Sequence, residues 1–259
     1  MFMLYCDFEG YSQIALGSSQ MLGITMKENF RQPFMSETLS EIWRRWHVSL
    51  YSWFRDYLYI PLGGSRCSRA RKYLNVFIVM FVSGIWHGAN LTFFAWGAIN
   101  GLFIVIGQIT SPFREKTAKS MRGRLCKSDA AKTAFDRVRV FLRRVGTFIL
   151  FSYTFIYFAN DSITSAYIAV KTIITRPFAS GAVSELFTLG LGRFNLMLTA
   201  VMAVFVLVAD NAAYKKECDT PSLIKNIPAV WRWVIYYALV TAILFSANLT
   251  GKEFIYSRM

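Results

Sequence analysis

The amino-acid sequence predicts an all-α membrane protein: a multi-pass bundle of transmembrane helices with additional amphipathic, interfacial helices. Hydrophobic residues make up 54% of the 259 residues and aromatic residues 17%, so the chain is far more apolar than a soluble domain. Several apolar runs also approach the roughly 20 residues that a helix needs to cross a bilayer. We therefore treat residues 1–259 as one membrane-embedded domain.

The basic charge of the chain does not indicate a nucleic-acid partner. The net charge is +14, but the excess is confined to the segments between apolar runs, where membrane topology requires it. The four cysteines show no CxxC spacing, so neither a zinc site nor a disulfide framework is indicated. The sequence thus predicts a lipid bilayer as a partner and predicts no nucleic acid, metal or bound cofactor.

Apolar runs follow one another along most of the chain. The segment 163–175 is too short to cross a membrane and is expected at the interface. The predicted membrane segments are a helix over 1–26, a helical hairpin over 74–109, and three C-terminal spans within 145–248, at 145–160, 193–211 and 231–248.

Residues 114–144 are predicted to form a basic cytoplasmic loop. This segment holds eleven Lys and Arg against three Asp and Glu, a net charge of +8. Interleaved apolar side chains favour an interfacial helix on anionic headgroups, and a solvated loop is the alternative. Because positive loops stay on the cytoplasmic side, the C-terminus is expected on the outer face of the membrane.

The two histidines of the chain lie in tryptophan-rich segments. His47 falls within 38–58, where apolar residues recur at three- and four-residue spacing and predict one amphipathic helix. His87 is at the end of an apolar run and lies between Gly84 and Gly88. These two glycines have a small-xxx-small spacing, which permits close helix packing. A histidine at membrane depth is costly unless it is paired or faces a polar cavity, so each predicts a functional site. The alternatives are a histidine at the lipid boundary for His47, and one bonded to a backbone carbonyl for His87.

Several motifs occur from Tyr5 to about Gly101 and again near the C-terminus. The motifs are Tyr5-Cys6-Asp7-Phe8-Glu9-Gly10-Tyr11-Ser12, Glu28-Asn29-Phe30, Trp43-Arg44-Arg45-Trp46-His47, Phe54 to Gly64, Trp86-His87-Gly88 and Phe254-Ile255-Tyr256. In this order along the chain they resemble the membrane-bound O-acyltransferase family, and most closely its bacterial alginate O-acetyltransferase branch.

This resemblance implies a partial fold of that family and an enzyme of the bacterial inner membrane. The expected reaction moves an acyl group, acetyl by resemblance, from a cytoplasmic thioester such as acetyl-CoA toward an extracytoplasmic polysaccharide such as alginate. An extracytoplasmic O-acetyltransferase is the expected partner protein. The alternatives are transfer of D-alanine or another acyl group to a different envelope polymer, and a transporter or scaffold without chemistry.

The resemblance makes His87 the catalytic residue and His47 the second conserved polar position. Acyl transfer needs a base that takes the proton of a hydroxyl as it attacks the carbonyl, and imidazole has a suitable pKa. We assign this role to His87. His47 is expected to polarise the carbonyl or to orient the acceptor.

Further polar and aromatic residues are candidates for supporting roles. Asp7, Glu9, Asp56 and Trp86 are candidates to orient or support an imidazole, and structural ion pairing with Arg44, Arg45 or Arg55 is the alternative for the three acids. Donor phosphates are expected to contact Arg31, Arg66 and Arg69, with simple membrane topology as the alternative.

The C-terminal tyrosine, Tyr256, is a candidate acyl relay, because a phenol of pKa about 10 forms an ester with a good leaving group. The tail retains only part of an aromatic motif of related systems, and an interfacial aromatic anchor is the alternative. Family members carry more helices before the Tyr5 motif, so we expect the isolated chain to lack part of the wall around its histidines.

Overall fold

The computed structural model describes residues 1–176 and 193–246, without the side chains of 193–196 and 245–246. The described residues form helices and no strand, which confirms the predicted all-α class. Short 3-10 helices lie at Pro33–Met35 and Thr220–Ile224, and a π-helical turn lies at Arg55–Tyr59. The helices are α1 (Phe2–Met21), α2 (Leu39–Arg45), α3 (Val48–Phe54), α4 (Arg69–His87), α5 (Leu91–Leu125), α6 (Asp129–Phe158), α7 (Ile163–Thr175), α8 (Arg193–Lys215) and α9 (Ala229–Ser246).

The described residues belong to two compact units. The first covers Met3–Thr175 and contains both histidines. The second begins at Arg176 and contains α8 and α9. Within it the segment after α8 is held by a side-chain contact, in which the Thr220 hydroxyl donates to Asp210 Oδ1 at 3.1 Å. Tyr256 lies outside the described residues.

Three described helices are long and apolar enough to cross a membrane, which supports the predicted membrane protein. Two of them, α5 and α6, are consecutive in the first unit, and the third is in α8. Shorter apolar helices occur at Ile163–Thr175 and Ala229–Leu244. The three candidate spans are Leu91–Leu125, Asp129–Phe158 and Met197–Lys215.

Residues 114–144 are mostly helical instead of forming a loop. Helix α5 continues to Leu125 and α6 begins at Asp129, so the basic segment is the end of one helix and the start of the next. At 1.5 Å per residue, the 35 residues of α5 span about 52 Å and the 30 residues of α6 about 45 Å. Both exceed the ~30 Å hydrocarbon core, so their adjoining ends extend beyond it.

Ion pairs hold this helical extension to the rest of the unit. Glu115 accepts from Arg139 at 2.6 Å and from Arg143 at 3.1 Å, which joins α5 to α6. Arg143 also pairs with Glu37 at 3.2 Å, just before α2. The hydrogen bond from Arg139 and the positive charges of both arginines lower the pKa of Glu115, so this carboxylate remains ionised at neutral pH.

The segment 38–58 forms two helices and a π-helical turn instead of one amphipathic helix. Thr38 caps α2 as its sequence predicts, accepting from the backbone N–H of Glu41 at 3.2 Å. The helix then breaks at Trp46, which is extended and forms an antiparallel bridge with Phe30. Periodicity misses the break because apolar residues keep their three- and four-residue spacing across it.

The contact between α4 and α5 depends on glycine at two facing positions. A Cβ on Gly97 would lie 2.6 Å from the carbonyl oxygen of Met80, and a Cβ on Gly84 would collide with that of Phe93. The close approach predicted for Gly84 is therefore present, and its partner is Gly97. Gly88 instead ends α4 at a φ of 149°, with the Phe93 ring against it.

A buried asparagine fixes the turn that precedes α4. Asn75 is fully buried, and its side-chain amide donates to the carbonyl oxygens of Leu62 at 3.1 Å and Gly64 at 3.3 Å. The sharp turn leaves these backbone carbonyls without hydrogen-bond partners inside a helix, and the Asn75 amide supplies the hydrogen bonds that water would otherwise make. Tyr59 and Ser65, joined by a 2.9 Å hydroxyl contact, are held on the same turn.

We predict that Gly97→Ala destabilises the protein by about 1–3 kcal/mol, the range for overpacking a well-packed contact. The added methyl group meets backbone atoms of α4, which cannot rotate away as a side chain can. Thermal unfolding of the purified protein in detergent measures the effect.

Gly107→Ala is the matched control on the same helix. Its Cβ meets nothing within 4 Å, and alanine favours a helix over glycine by roughly 0.5–1 kcal/mol. Its unfolding temperature should stay the same or rise. An equal drop in the unfolding temperature of both variants would contradict the role given to the contact between α4 and α5.

Candidate active site

His47 occupies an unusual backbone conformation between α2 and α3. Its φ of 48° and ψ of 53° lie in the left-handed region, which is uncommon for a residue with a side chain. The bridge between Phe30 and Trp46 enforces this turn, together with bonds from Arg31 N–H to Arg45 O and from Val48 N–H to Asn29 O, both at 2.9 Å. Such conformations concentrate at functional sites because the surrounding structure must hold them.

The His47 ring is half-buried and has both aromatic and polar neighbours. The Phe8 ring of α1 meets it edge-on with centroids 4.8 Å apart. The ring centroid of Trp86 on α4 lies 6.4 Å from that of His47. The Ser49 hydroxyl is 3.3 Å from Nδ1. The ring thus joins three elements distant in sequence, which does not fit a side chain exposed only to lipid.

His87 is buried in a cluster of aromatic rings at the C-terminal end of α4. The centroids of Trp86, Trp96 and Phe158 lie 4.9, 5.2 and 5.0 Å from its ring. These residues come from α4, α5 and α6, so the imidazole stands where the three helices meet. Aromatic surroundings exclude water and favour the neutral ring, the form that can accept a proton.

Trp86 connects the two histidines. Its ring centroid is 6.4 Å from that of His47 and 4.9 Å from that of His87. Trp86 is predicted from the sequence to support an imidazole, and in the structure its ring contacts both of them. The structure therefore brings together the two histidines, which are 40 residues apart in the chain.

The candidate orienting carboxylates lie in different surroundings. Asp56 is exposed and forms two hydrogen bonds with Arg55, at 2.7 and 3.1 Å, and these bonds lower the pKa of Asp56. This is the ion pairing that the sequence left open for Asp56. Glu9 is half-buried on α1 and accepts from Gln13 at 2.7 Å, and Asp7 is half-buried on the same helix.

The described part of the chain contains no candidate metal site of three or more ligating side chains. Within residues 1–176 and 193–246, no three His, Cys, Asp or Glu side chains lie close enough together to hold a metal ion. All four cysteines lie in the described residues, and none of them forms a disulfide.

A cavity of about 720 Å³ with a strongly basic wall opens beside α2, α3 and α4. The described lining residues include no carboxylate. Of the three arginines expected to contact donor phosphates, Arg31 lines the cavity, whereas Arg66 and Arg69 are not among its lining residues. The five cationic lining residues are Lys27, Arg31, Arg44, Arg55 and Lys72.

Part of the lining of this cavity is apolar. Trp43, Met80 and Ile104 line it, all three buried in the unit. Trp43 meets Trp96 with ring centroids 5.4 Å apart, and Trp96 meets His87 at 5.2 Å. One indole ring thus separates the cavity wall from the buried imidazole. A ligand with an anionic end and a small apolar end would match this arrangement.

Sequence reasoning missed most of the basic residues of the cavity. Lys27, Arg44, Arg55 and Lys72 come from four separate segments, and each taken alone resembles a solvated charge. It also missed Ser49, which lies next to His47 in space. Only the turn at His47 brings that hydroxyl to the ring, and the assumed continuous helix gave no signal for it.

The sequence of the chain is similar to those of several known proteins. The sequence profile of the membrane-bound O-acyltransferase family matches residues 1–131, about half of the chain. A Pseudomonas aeruginosa protein named "Probable alginate O-acetylase AlgI" is 52% identical over 103 residues, which are 40% of this chain and 20% of the relative. The chain spans about a fifth to a quarter of the length of the curated relatives that it matches.

Two further relatives carry other names. A Helicobacter pylori peptidoglycan O-acetyltransferase is 39% identical over 105 residues, 40% of this chain and 20% of the relative. A Streptococcus thermophilus teichoic acid D-alanyltransferase is 38% identical over 112 residues, 40% of this chain and 27% of the relative. The profile match includes His47, His87 and the residues around them. The chain belongs to the membrane-bound O-acyltransferase family.

Proposed function

We propose that this chain provides the catalytic histidines of a membrane O-acyltransferase that transfers an acetyl group to an extracytoplasmic polysaccharide. The observation that carries the proposal is the position of His87, which is buried among aromatic rings and separated from a basic cavity by the indoles of Trp43 and Trp96. The relatives named as O-acetylases and as an acyltransferase of cell-wall polymers support the same reaction class.

The basic cavity suits a thioester donor such as acetyl-CoA. Five cationic side chains can bind the phosphates of the carrier, and the apolar wall can accept the small acyl end. A volume of about 720 Å³ is within the range of roughly 300–1,000 Å³ of small-molecule sites. The donor needs to be bound only during turnover, so the enzyme requires no resident cofactor.

In the reaction, His87 takes the proton of the acceptor hydroxyl as its oxygen attacks the thioester carbonyl. The carbon–sulfur bond then breaks, the new ester forms, and the thiolate leaves with the proton from His87. His47 polarises the carbonyl or orients the acceptor. The aromatic walls keep water from competing as acceptor, because they leave little space for it near His87.

An acetyl group and an alginate-like acceptor are favoured over D-alanine and teichoic acid. The O-acetylase relative shares 52% identity with the chain and the D-alanyltransferase 38%. Acetylation of an external polymer also requires a location in the bacterial inner membrane. The basic ends of α5 and α6 would then be cytoplasmic and the C-terminus external. An extracytoplasmic O-acetyltransferase would complete the transfer.

We expect His87→Gln to abolish acyl transfer. Glutamine can hydrogen-bond in the same place but cannot take a proton, and general bases contribute about 10²–10⁴-fold to rate. Mass spectrometry of envelope polysaccharides from cells that carry the wild-type or variant gene measures the acyl groups. Loss of acetyl groups from the polysaccharide in the variant supports the proposal. Loss of D-alanine groups instead would show that the transferred acyl group is D-alanyl and not acetyl.

The fold of the variant is checked separately. His87→Gln should elute from size exclusion in detergent as the wild type does. A folded variant with normal polymer acylation would refute His87 as the base and leave a transporter or scaffold role.

Lys72→Ala should weaken donor binding. Removing one cation of the cavity takes away a charge-assisted contact worth about 1.5–3 kcal/mol. We expect KM for the thioester to rise about tenfold or more while kcat changes little. Arg71→Ala is the control, since it removes an adjacent charge that is not among the cavity-lining residues. An equal KM for both variants would argue against the cavity as the donor site.

Tyr256 is proposed as an acyl relay on the outer face. Tyr256→Phe keeps an aromatic anchor and removes the acceptor hydroxyl, so polymer acetylation should fall if the phenol receives the acyl group. Unchanged acetylation would leave Tyr256 as an interfacial anchor. The measurement is the acetyl content of the polymer by mass spectrometry.

A further inference from the structure

A row of hydrogen-bonded side chains ends at Nδ1 of His47. Asn29 Oδ1 accepts from the Ser49 hydroxyl at 2.7 Å and from the Ser49 backbone N–H at 3.3 Å. The same hydroxyl oxygen lies 3.3 Å from His47 Nδ1. None of these residues has a role in the reaction as described so far except His47.

The orientation of the Asn29 amide follows from its neighbours. Ser49 is in the first turn of α3, where a backbone N–H has no partner inside the helix. This N–H points at the Asn29 side chain at 3.3 Å, and only the oxygen of that side chain can accept a hydrogen bond. The amide nitrogen then faces the Ser12 hydroxyl of α1 at 3.5 Å. The bond from Val48 N–H to Asn29 O fixes the asparagine backbone as well.

This orientation determines where the serine proton points. An amide oxygen cannot donate, so the 2.7 Å contact requires the Ser49 hydroxyl to donate to Asn29. A hydroxyl has one proton, and only its lone pairs remain for His47. The 3.3 Å contact is a hydrogen bond only if His47 Nδ1 carries a proton and donates it to Ser49.

We infer that Asn29 and Ser49 are positioning residues that hold the neutral His47 ring with its proton on Nδ1 and its lone pair on Nε2. In a neutral imidazole the hydrogen bond of one nitrogen sets the state of the other. Nε2 is then a hydrogen-bond acceptor and cannot donate to a carbonyl oxygen.

This assignment, which rests on the proposed function for its consequence, chooses between the two roles left open for His47. A ring that accepts at Nε2 can orient the acceptor hydroxyl, whose proton it binds. It cannot polarise the thioester carbonyl, which needs a donor. Because the hydroxyl has one proton, His47 binds that proton only before the attack, and the hydroxyl then turns to give it to His87 as its oxygen attacks the carbonyl.

Nitrogen NMR of the full chain in detergent micelles tests the assignment directly. The chain has two histidines, so labelling histidine with ¹⁵N gives two sets of ring signals. The His87→Gln background leaves those of His47 alone. We expect a protonated Nδ1 and an unprotonated Nε2 for His47. A protonated Nε2 with an unprotonated Nδ1 would overturn the inference.

Three variants in this background separate the hydroxyl from general structural effects. Ser49→Ala removes the acceptor, so the His47 signals should shift toward the form protonated on Nε2. Ser49→Thr retains a hydroxyl and should keep the wild-type pattern. Ser120→Ala, at an exposed serine on α5, should change nothing. An unchanged His47 pattern in Ser49→Ala, or an alanine-like pattern in Ser49→Thr, would refute the role of the hydroxyl.

Turnover separates this inference from the proposed function. With His87 intact, Ser49→Ala should lower acyl transfer about tenfold, a fraction of what a general base contributes, and Ser49→Thr should restore it. If the wild type transfers no acyl group but shows the expected NMR pattern, the proposed function fails and the assignment of the proton stands. If transfer occurs and Ser49→Ala leaves it unchanged, the positioning role fails.

Discussion

The close approach of α4 and α5 at Gly84 and Gly97 is the constraint on which the first unit depends. Without side chains at these positions, the helix backbones come within contact distance. Trp96, the neighbour of Gly97, is thereby placed against His87, three residues beyond Gly84. Because helix interfaces in membranes gain little from the hydrophobic effect, packing of this kind is what holds the site together.

A second constraint is the break at Trp46 and His47. The antiparallel bridge to Phe30 ends α2 and turns the chain into a left-handed conformation. Trp46 remains fully buried against Phe151 and Phe155, with ring centroids at 5.4 and 5.8 Å, so the break leaves the core intact. The polar side of the turn is then free to present the imidazole beside Trp86 and Ser49.

Charge has distinct roles in different parts of the molecule. The ends of α5 and α6 carry much of the net charge of +14, and there acidic partners such as Glu115 offset part of it. The described lining residues of the cavity include five cations and no carboxylate. Two of these cations, Arg31 and Arg55, pair with neighbouring carboxylates outside the lining at 3.4 and 2.7 Å, and the other three supply positive potential for an anionic ligand.

The sequence by itself determined the fold class, the family and the two histidines. The hydrophobic content and the lengths of the apolar runs are properties of the amino-acid sequence, and they determine that helices form in a membrane. The motifs around His47 and His87 are contiguous in the sequence, so they can be recognised without the fold. Only the tertiary structure decided which residues meet these histidines. Asn29 and the cavity cations act through contacts between distant segments, which one-dimensional periodicity does not encode. Ser49 is only two residues from His47, but its hydroxyl meets the ring because of the left-handed turn there. The break at His47 was hidden for the same reason: apolar spacing continues across it, and a backbone bridge to Phe30 interrupts the helix.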